Sequence, residues 1–170
     1  MQIRTIRESD ADDFLQVCHR LDQETDCMLL EPDERTSTVE EQRRRIAGLL
    51  ATENSTILVA EAGSRFVGYL EAGGGRHRRD RHTAYLVVGI LQEFTGRGVG
   101  TRLFQHAEKW ARERILHRLE LTVMTHNEAG VALYRKMGFL IEGTRREALQ
   151  VKGVWVDEYF MGKVLAAGQH

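Results

Sequence analysis

Proline occurs once in 170 residues, at Pro32, and cysteine twice, at Cys18 and Cys27. A single proline excludes collagen-like and polyproline architectures. Two isolated cysteines make neither a disulfide framework nor a CxxC metal pair, so a reducing compartment is the default. Net charge is also nearly absent: 24 Lys plus Arg against 25 Asp plus Glu leave −1. Nothing in bulk therefore draws the chain to nucleic acid or to an anionic membrane, and either partner would need a local basic patch. No apolar run approaches the roughly 18 residues of a membrane span. The opening segment MQIRTIRESDADDF places charges where a secretory signal needs an apolar stretch. These absences describe a cytoplasmic protein with no membrane or nucleic-acid partner.

What is present is ordinary for a folded enzyme: 42% hydrophobic and 29% charged residues. A chain of this length forms one domain, residues 1–170, burying about two thirds of the surface exposed when unfolded. A strand from Gln2 to Arg7 leads to Ser9-Asp10-Ala11-Asp12, a hydroxyl with a carboxylate three places on, which suits a helix start. Ala11, Phe14, Leu15, Cys18 and Leu21 then recur at helical spacing, which puts Cys18 in the core. Asp22 to Ser37 reads as an irregular connection. Thr38 to Glu41 repeats the capping pattern before a weaker helical stripe of Val39, Ile46, Leu49 and Leu50. From Thr56 the period becomes that of strands, TILVAEA and FVGYLEA about the turn Gly63-Ser64. The run AYLVVGIL (84–91) is apolar on both faces and is expected to be central. A glycine loop and a helix separate it from the strand LELTVM (119–124), a βαβ arrangement with parallel strands. Asn127 opens a further helix that stops at Gly138, and Phe139 to Glu147 pairs with Val154 to Val164 about Lys152-Gly153.

The loop Gly96-Arg97-Gly98-Val99-Gly100-Thr101 joins the end of a buried strand to a helix start. Glycines at alternate positions allow positive φ and close backbone approach. The free amides of the first helical turn suit a phosphate or pyrophosphate, and Arg97 can add charge at the rim. Glycine-rich helix starts also occur for packing alone. GxxxxGK[ST] would need a Lys before Thr101, where Gly100 stands, and the third Gly of GxGxxG falls on Thr101. A nucleoside triphosphate and NAD are therefore both poor candidates.

The ordered pair of motifs I-L-x-x-F-x-G-R-G-V-G-T-x-L (Ile90 to Leu103) and N-x-x-x-x-A-L-Y-x-K-x-G-F-x-x-E-G (Asn127 to Gly143) resembles the GNAT superfamily of acyl-CoA-dependent N-acetyltransferases. The C-terminal EGTRREALQVKGVWVDEYFMGKVL looks like the branch holding ribosomal-protein and amino-acid N-acetyltransferases. The resemblance implies an α+β fold with a mixed, mostly antiparallel sheet, splayed between the fourth and fifth strands and flanked by about four helices. It implies acetyl-CoA as co-substrate. The pantetheine arm and acetyl carbonyl then fall on Val88, Gly89 and Ile90, the pyrophosphate on Gly96, Arg97, Gly98, Val99, Gly100 and Thr101, and Asn127 and Tyr134 stand beside the arm and the sulfur. Gly89 is consistent with a bulge that frees an amide for the thioester oxygen. Tyr134 is the expected general acid: a phenol of pKa about 10 stays protonated near neutrality and can donate to the leaving thiolate. Its competing reading is an aromatic packing residue, since Ala132, Leu133 and Met137 share its helix.

Two departures stand out. The family commonly opens its pyrophosphate motif with Gln or Arg, where this chain has Thr95. In the ribosomal-protein branch a glutamate five residues before the asparagine takes the amine proton, and here that position is Thr122. Glu71, His82, Glu24 and Asp26 are the alternative bases, each also readable as a solvated or capping side chain. The basic segment Arg76 to His82 reads as a solvated loop or, more specifically, as a receptor for an acidic substrate. His19, His77, His106, His117 and His126 lack metal-ligand spacing, so no metal is expected. The chain thus reads as an enzyme moving acetyl from acetyl-CoA to a primary amine of a small molecule, an amino acid or a protein N-terminus. The alternative is a non-catalytic acyl-CoA-binding module. The apolar C-terminal strand suits a homodimer.

Overall fold

Alternation along the first hairpin divides the interior into two layers. In β2 (Thr56–Ala62) Leu58 and Ala60 face one side, while Ile57 and Val59 face the other. Its partner β3 (Arg65–Gly74) carries one extra residue: the register passes from Ala60↔Gly68 to Glu61↔Phe66, leaving Val67 unopposed. That bulge reverses the alternation, so Val67 joins Leu58 and Phe66 joins Ile57. Both faces of this half of the sheet are thereby apolar, and helices cover both.

The computed structural model describes residues 1–165. Besides β2 and β3 it contains β1 (Gln2–Thr5), α1 (Ala11–Glu24), α2 (Val39–Leu50), β4 (Thr83–Ile90), α3 (Val99–Glu113), β5 (Arg118–Met124), α4 (Glu128–Lys136), β6 (Leu140–Val151) and β7 (Val154–Val164), with 3-10 turns at Glu8–Asp10 and Gln92–Phe94. One seven-stranded sheet, in the order β1-β2-β3-β4-β5-β7-β6, joins all the strands. Every pairing is antiparallel except β4 with β5. One layer packs α1 and α2 on the sheet through Phe14, Val17, Cys18, Leu21 and Ile46. The opposite layer packs α3 through Leu103, Phe104, Ala107 and Ala111. Cys18 lies in the first layer, 3% exposed, and burial, the leading cause, pushes its thiol up to about 11.

The parallel pair is the exception that makes the site. β4 and β5 are in register only over Thr83–Tyr85 and Arg118–Glu120. Beyond that point β4 continues to Ile90 and β5 to Met124 with no pairing between them. The sheet opens into a V, as the family resemblance implies. The run expected to be buried on both faces is therefore open on one, with Tyr85 and Val87 each 39% exposed. Its apolarity lines a cleft instead of filling a core.

Three local expectations change. Ser9 and Asp12 do not cap α1: its N-cap is Asp10, which makes no side-chain cap bond to the helix, and the Asp10 carboxylate instead accepts the Arg7 amide at 2.7 Å, closing the 3-10 turn that precedes it. At α2 the capping box forms as expected, with Glu41 N to Thr38 Oγ1 at 3.2 Å and Thr38 N to Glu41 Oε2 at 2.8 Å. Gly89 is not a bulge, because β3 and β4 stay in register from Gly68↔Ile90 to Gly74↔Ala84. A Cβ there would stand 2.6 Å from Leu21 Cδ1 and 3.2 Å from Tyr69 Cε1, so Gly89 is required by the packing of α1 on the sheet. The C-terminal strand β7 is interior, between β5 and β6, and the edge at that end of the sheet is β6. Finally, the segment between α1 and α2 is pinned by Arg35, whose guanidinium holds the fully buried Asp22 carboxylate at 2.5 Å and 3.1 Å. Removing either partner would strand a buried charge, at a cost of about 3–5 kcal/mol.

Candidate active site

A cleft of about 900 Å³ occupies the gap between β4 and β5, within the size range of small-molecule sites. Val88, Gly89, Ile90, Gly96, Gly98, Val99, Gly100, Thr101, Asn127 and Tyr134 all line it. Arg97 does not; its guanidinium lies over the Phe94 ring, 5.3 Å from the centroid.

The wall from β4 into α3 is built of backbone. Leu91 N–H donates to Val67 O at 2.9 Å, so odd-numbered residues of β4 face β3 and the amides of Val88 and Ile90 face the gap. At the start of α3 the first intrahelical bond is Arg102 N to Gly98 O at 3.1 Å. The amides of Val99, Gly100 and Thr101 therefore have no helical acceptor, and neither a capping side chain nor an acidic residue in the first turn takes their place. The three glycines divide the work. Gly96 (φ 72) and Gly98 (φ 79) adopt left-handed backbone with open space where a Cβ would be. A Cβ on Gly100 would instead stand 2.5 Å from Leu133 Cδ2, so its absence lets α3 approach α4. Lys136, which the sequence reading passed over, adds a cation here: its Nζ donates to Thr101 Oγ1 at 3.3 Å.

Tyr134 reaches the cleft from α4. Asn127 caps this helix, its Oδ1 accepting Gly130 N–H at 2.9 Å. The Tyr134 ring packs against Phe104 at 5.5 Å and Phe139 at 6.4 Å between centroids, so the packing reading is correct for the ring. Its hydroxyl makes no hydrogen bond among the described residues. Burial, and after it the neighbouring Cys27 and Tyr85, push the phenol above its ordinary range, which keeps it protonated well into alkaline solution.

The opposite wall is made of side chains from separate elements: Tyr85 of β4, Thr122 and Met124 of β5, Arg145 and Leu149 of β6, Glu158 of β7, and Cys27, Met28 and Leu29 of the α1–α2 segment. The Tyr85 hydroxyl and Thr122 Oγ1 lie 2.6 Å apart and tie the strands together just past the point where pairing ends. Thr122 is thus a latch rather than a vacant base position. In β6 the register jumps from Arg145↔Glu158 to Leu149↔Val156, a wide bulge with Glu147 at φ 51 and its amide on Asp157 Oδ1 at 2.7 Å. The bulge lets Arg145 and Leu149 face the cleft together.

The other base candidates are elsewhere or occupied. Glu71 pairs with Arg45 at 2.6 Å outside the cleft. His82 precedes β4 at its paired end, 6.1 Å from His117 between ring centroids. Asp26 is held by Lys152 at 2.5 Å. Glu24 lines the cleft, but it accepts the Gln92 amide at 2.9 Å and Arg20 at 2.9 Å. The basic loop is also displaced: Arg76, Arg78, Arg81 and Arg114 surround a separate concavity of about 540 Å³ beyond the paired end of β4, which removes them from acceptor recognition in the cleft. Among the described residues, no group of three or more His, Cys, Asp or Glu is placed to hold a metal. What sequence reasoning missed was Glu158, Arg145, Tyr85 and Lys136, which only the strand order and the αα contact bring together.

Comparison with known proteins supplies the last observation. The profile of the family described as "Acetyltransferase (GNAT) family" matches residues 13–139. The chain is 36% identical over 114 residues to the N-alpha-acetyltransferase RimI of Mycobacterium tuberculosis, covering 66% of this chain and 68% of that one. It is 32% identical over 111 residues to the L-amino acid N-acetyltransferase AaaT of Escherichia coli, covering 63% and 67%. A GNAT-family acetyltransferase from Streptococcus pneumoniae superimposes with a TM-score of 0.93 at 32% identity, over 96% of this chain and 99% of that one. With a splayed parallel pair, a glycine-built helix start and a tyrosine in the gap, the chain belongs to the GNAT family of acetyl-CoA-dependent N-acetyltransferases.

Proposed function

We propose that the chain, as a single GNAT domain, transfers acetyl from acetyl-CoA directly to a primary amine held with it in the β4–β5 cleft. The acceptor is a small amine, an amino acid or a protein N-terminus. The observation that carries this reading is the convergence on one cleft of three kinds of group: the unsatisfied amides of residues 99–101, the gap-facing amides of Val88 and Ile90, and the unbonded hydroxyl of Tyr134. Gly96 to Thr101 with Lys136 would receive the pyrophosphate, residues 88–90 the pantetheine arm. The Val88 amide is placed to stabilise the oxyanion that forms as the amine attacks the thioester carbonyl. As the C–S bond breaks, sulfur takes the proton of Tyr134, which water then restores. Placing amine and thioester side by side supplies much of the remaining acceleration.

Release of free thiol from acetyl-CoA across a panel of amines tests this. Turnover with at least one primary amine is expected; tight acetyl-CoA binding with no turnover on any would overturn it in favour of a binding module. The two free cysteines support a cytoplasmic setting. A homodimer, if formed, would use the β6 edge and the exposed Val154 and Trp155, at 65% and 61%, a question for light scattering.

A further inference from the structure

An acceptor amine reaches the cleft as an ammonium ion near neutral pH, since α-amines titrate near about 8 and lysine amines near about 10.4. It must shed a proton before its lone pair can attack. Thr122 cannot take that proton, and its hydroxyl is engaged with Tyr85. Two carboxylates line the cleft. Glu24 is committed at the cofactor end to the Gln92 amide and Arg20. The other is Glu158.

Glu158 sits on β7 directly opposite Met124 of β5 on one side and Arg145 of β6 on the other. It is 7% exposed, and its carboxylate is met from one direction only, Arg145 Nη1 donating to Oε2 at 2.8 Å. Oε1 takes no hydrogen bond among the described residues. Oε1 is not sealed in the core, and Glu158 lines the cleft, so this oxygen is free to meet a ligand there. Arg145 is different: its side chain is 57% exposed, so its remaining donors reach solvent at the mouth. The remaining ionisable groups on the cleft walls are Tyr85 of β4, Tyr134 and Lys136 of α4, Cys27 of the α1–α2 segment, and Glu24. None of them offers a second free carboxylate on the acceptor side.

We propose that Glu158 binds the acceptor's ammonium group and takes its proton, and that Arg145 beside it favours acceptors carrying a carboxylate next to that amine, free α-amino acids being the simplest. The inference rests on the acetyltransferase reading. A zwitterion matches the Arg145–Glu158 pair charge for charge, so neither ion is left uncompensated when it binds. A plain alkylamine satisfies only Glu158, and a peptide N-terminus lacks the adjacent carboxylate. The protons balance. One leaves the ammonium for Glu158. The amine attacks, the tetrahedral nitrogen loses its second proton to water, and the C–S electrons go to sulfur, which is protonated by Tyr134. Glu158 and Tyr134 then exchange with solvent, for a net release of one proton per acetyl transferred.

The test uses the full chain, acetyl-CoA and a panel of free amino acids with their amides. Glu158→Gln is expected to lower kcat/KM for the acceptor by about 10²-fold while leaving the acetyl-CoA dissociation constant within about twofold. Its rate should rise only as the acceptor amine itself loses its proton, well above neutrality, whereas the wild type remains active at lower pH. Wild-type acceptor kinetics and pH profile in a folded E158Q would overturn the assignment. Should that variant fail to fold, Glu158→Asp keeps the charge but withdraws it from the ammonium; unchanged acceptor kcat/KM there would overturn it equally. For Arg145, the wild type is expected to prefer the acid over its amide by at least about tenfold, and Arg145→Met to abolish the preference; equal use of acid and amide by the wild type overturns that half. A wild type inactive on every amine removes the acetyltransferase reading with this one, while an active wild type and an indifferent E158Q removes this one alone.

Discussion

The wall proposed to hold the cofactor, from Val88 to Thr101, presents main-chain amides set by strand alternation, two left-handed glycines and an uncapped helix. The acceptor wall presents side chains from β4, β5, β6, β7 and the α1–α2 segment, with a hydrogen-bonded latch and an ion pair among them. A wall of backbone is indifferent to most substitutions that keep φ and ψ, and in the proposed function it would recognise what every acyl-CoA shares. A wall of side chains can be rewritten one residue at a time while the chemistry next to it stays intact. The difference separates the constant half of the reaction from the variable half.

Tyr134 stands between the two walls, so its substitution tests both at once and should have the largest effect. Tyr134→Phe keeps the ring stacked on Phe104 and Phe139, so it is expected to lower kcat by about 10²-fold with acetyl-CoA affinity unchanged by calorimetry; unchanged turnover would remove it as the acid. Because burial holds its phenol above the ordinary range, the wild-type rate should show no fall attributable to Tyr134 below about pH 10. Gly89→Ala comes next. It belongs to the backbone wall but is required by α1 packing, so an overpacking loss of about 1–3 kcal/mol should appear in chemical denaturation. A neutral result would show that the Leu21 and Tyr69 side chains give way, so that packing does not require a glycine there. Gly98→Val forces a β-branched residue into left-handed backbone, at roughly 1–2 kcal/mol, and should weaken acetyl-CoA binding about tenfold without altering acceptor preference. Smallest is Tyr85→Phe, which cuts the latch to Thr122 and should change acceptor KM by about two- to tenfold, in line with a net hydrogen bond of about 0.5–1.5 kcal/mol. If Gly98→Val changes acceptor preference, or Tyr85→Phe changes acetyl-CoA affinity, the walls are not independent.

The same division decided what could be read from the chain before its structure. The hairpin about Gly63-Ser64, the glycine helix start at 96, 98 and 100, and the helix carrying an asparagine seven positions before a tyrosine were legible because their determinants are contiguous, and the V came with the family resemblance those motifs carry. Glu158 and Arg145 were not. Each looks like a solvated charge on a polar hairpin, and only the interior position of β7 and the β6 bulge turn them toward the cleft. Gly89 was misassigned for a related reason: a glycine in a strand signals that something comes close, but whether this is a ligand or Leu21 depends on a helix seventy residues away in sequence.

The two-residue turn at Lys152-Gly153, with φ of 48 and 81, carries Lys152 to Asp26 and so bridges the β6–β7 tip to the segment bearing Cys27, Met28 and Leu29. Both ends of this strap are exposed, at 74% and 52%, and exposed pairs of this kind are worth about 0–1 kcal/mol and are screened over about 8 Å at physiological ionic strength. A strap held that weakly is expected to loosen as salt is added. If the proposed acceptor passes beneath it, the acceptor KM should shift with ionic strength while kcat, set at bonds remote from the strap, stays constant.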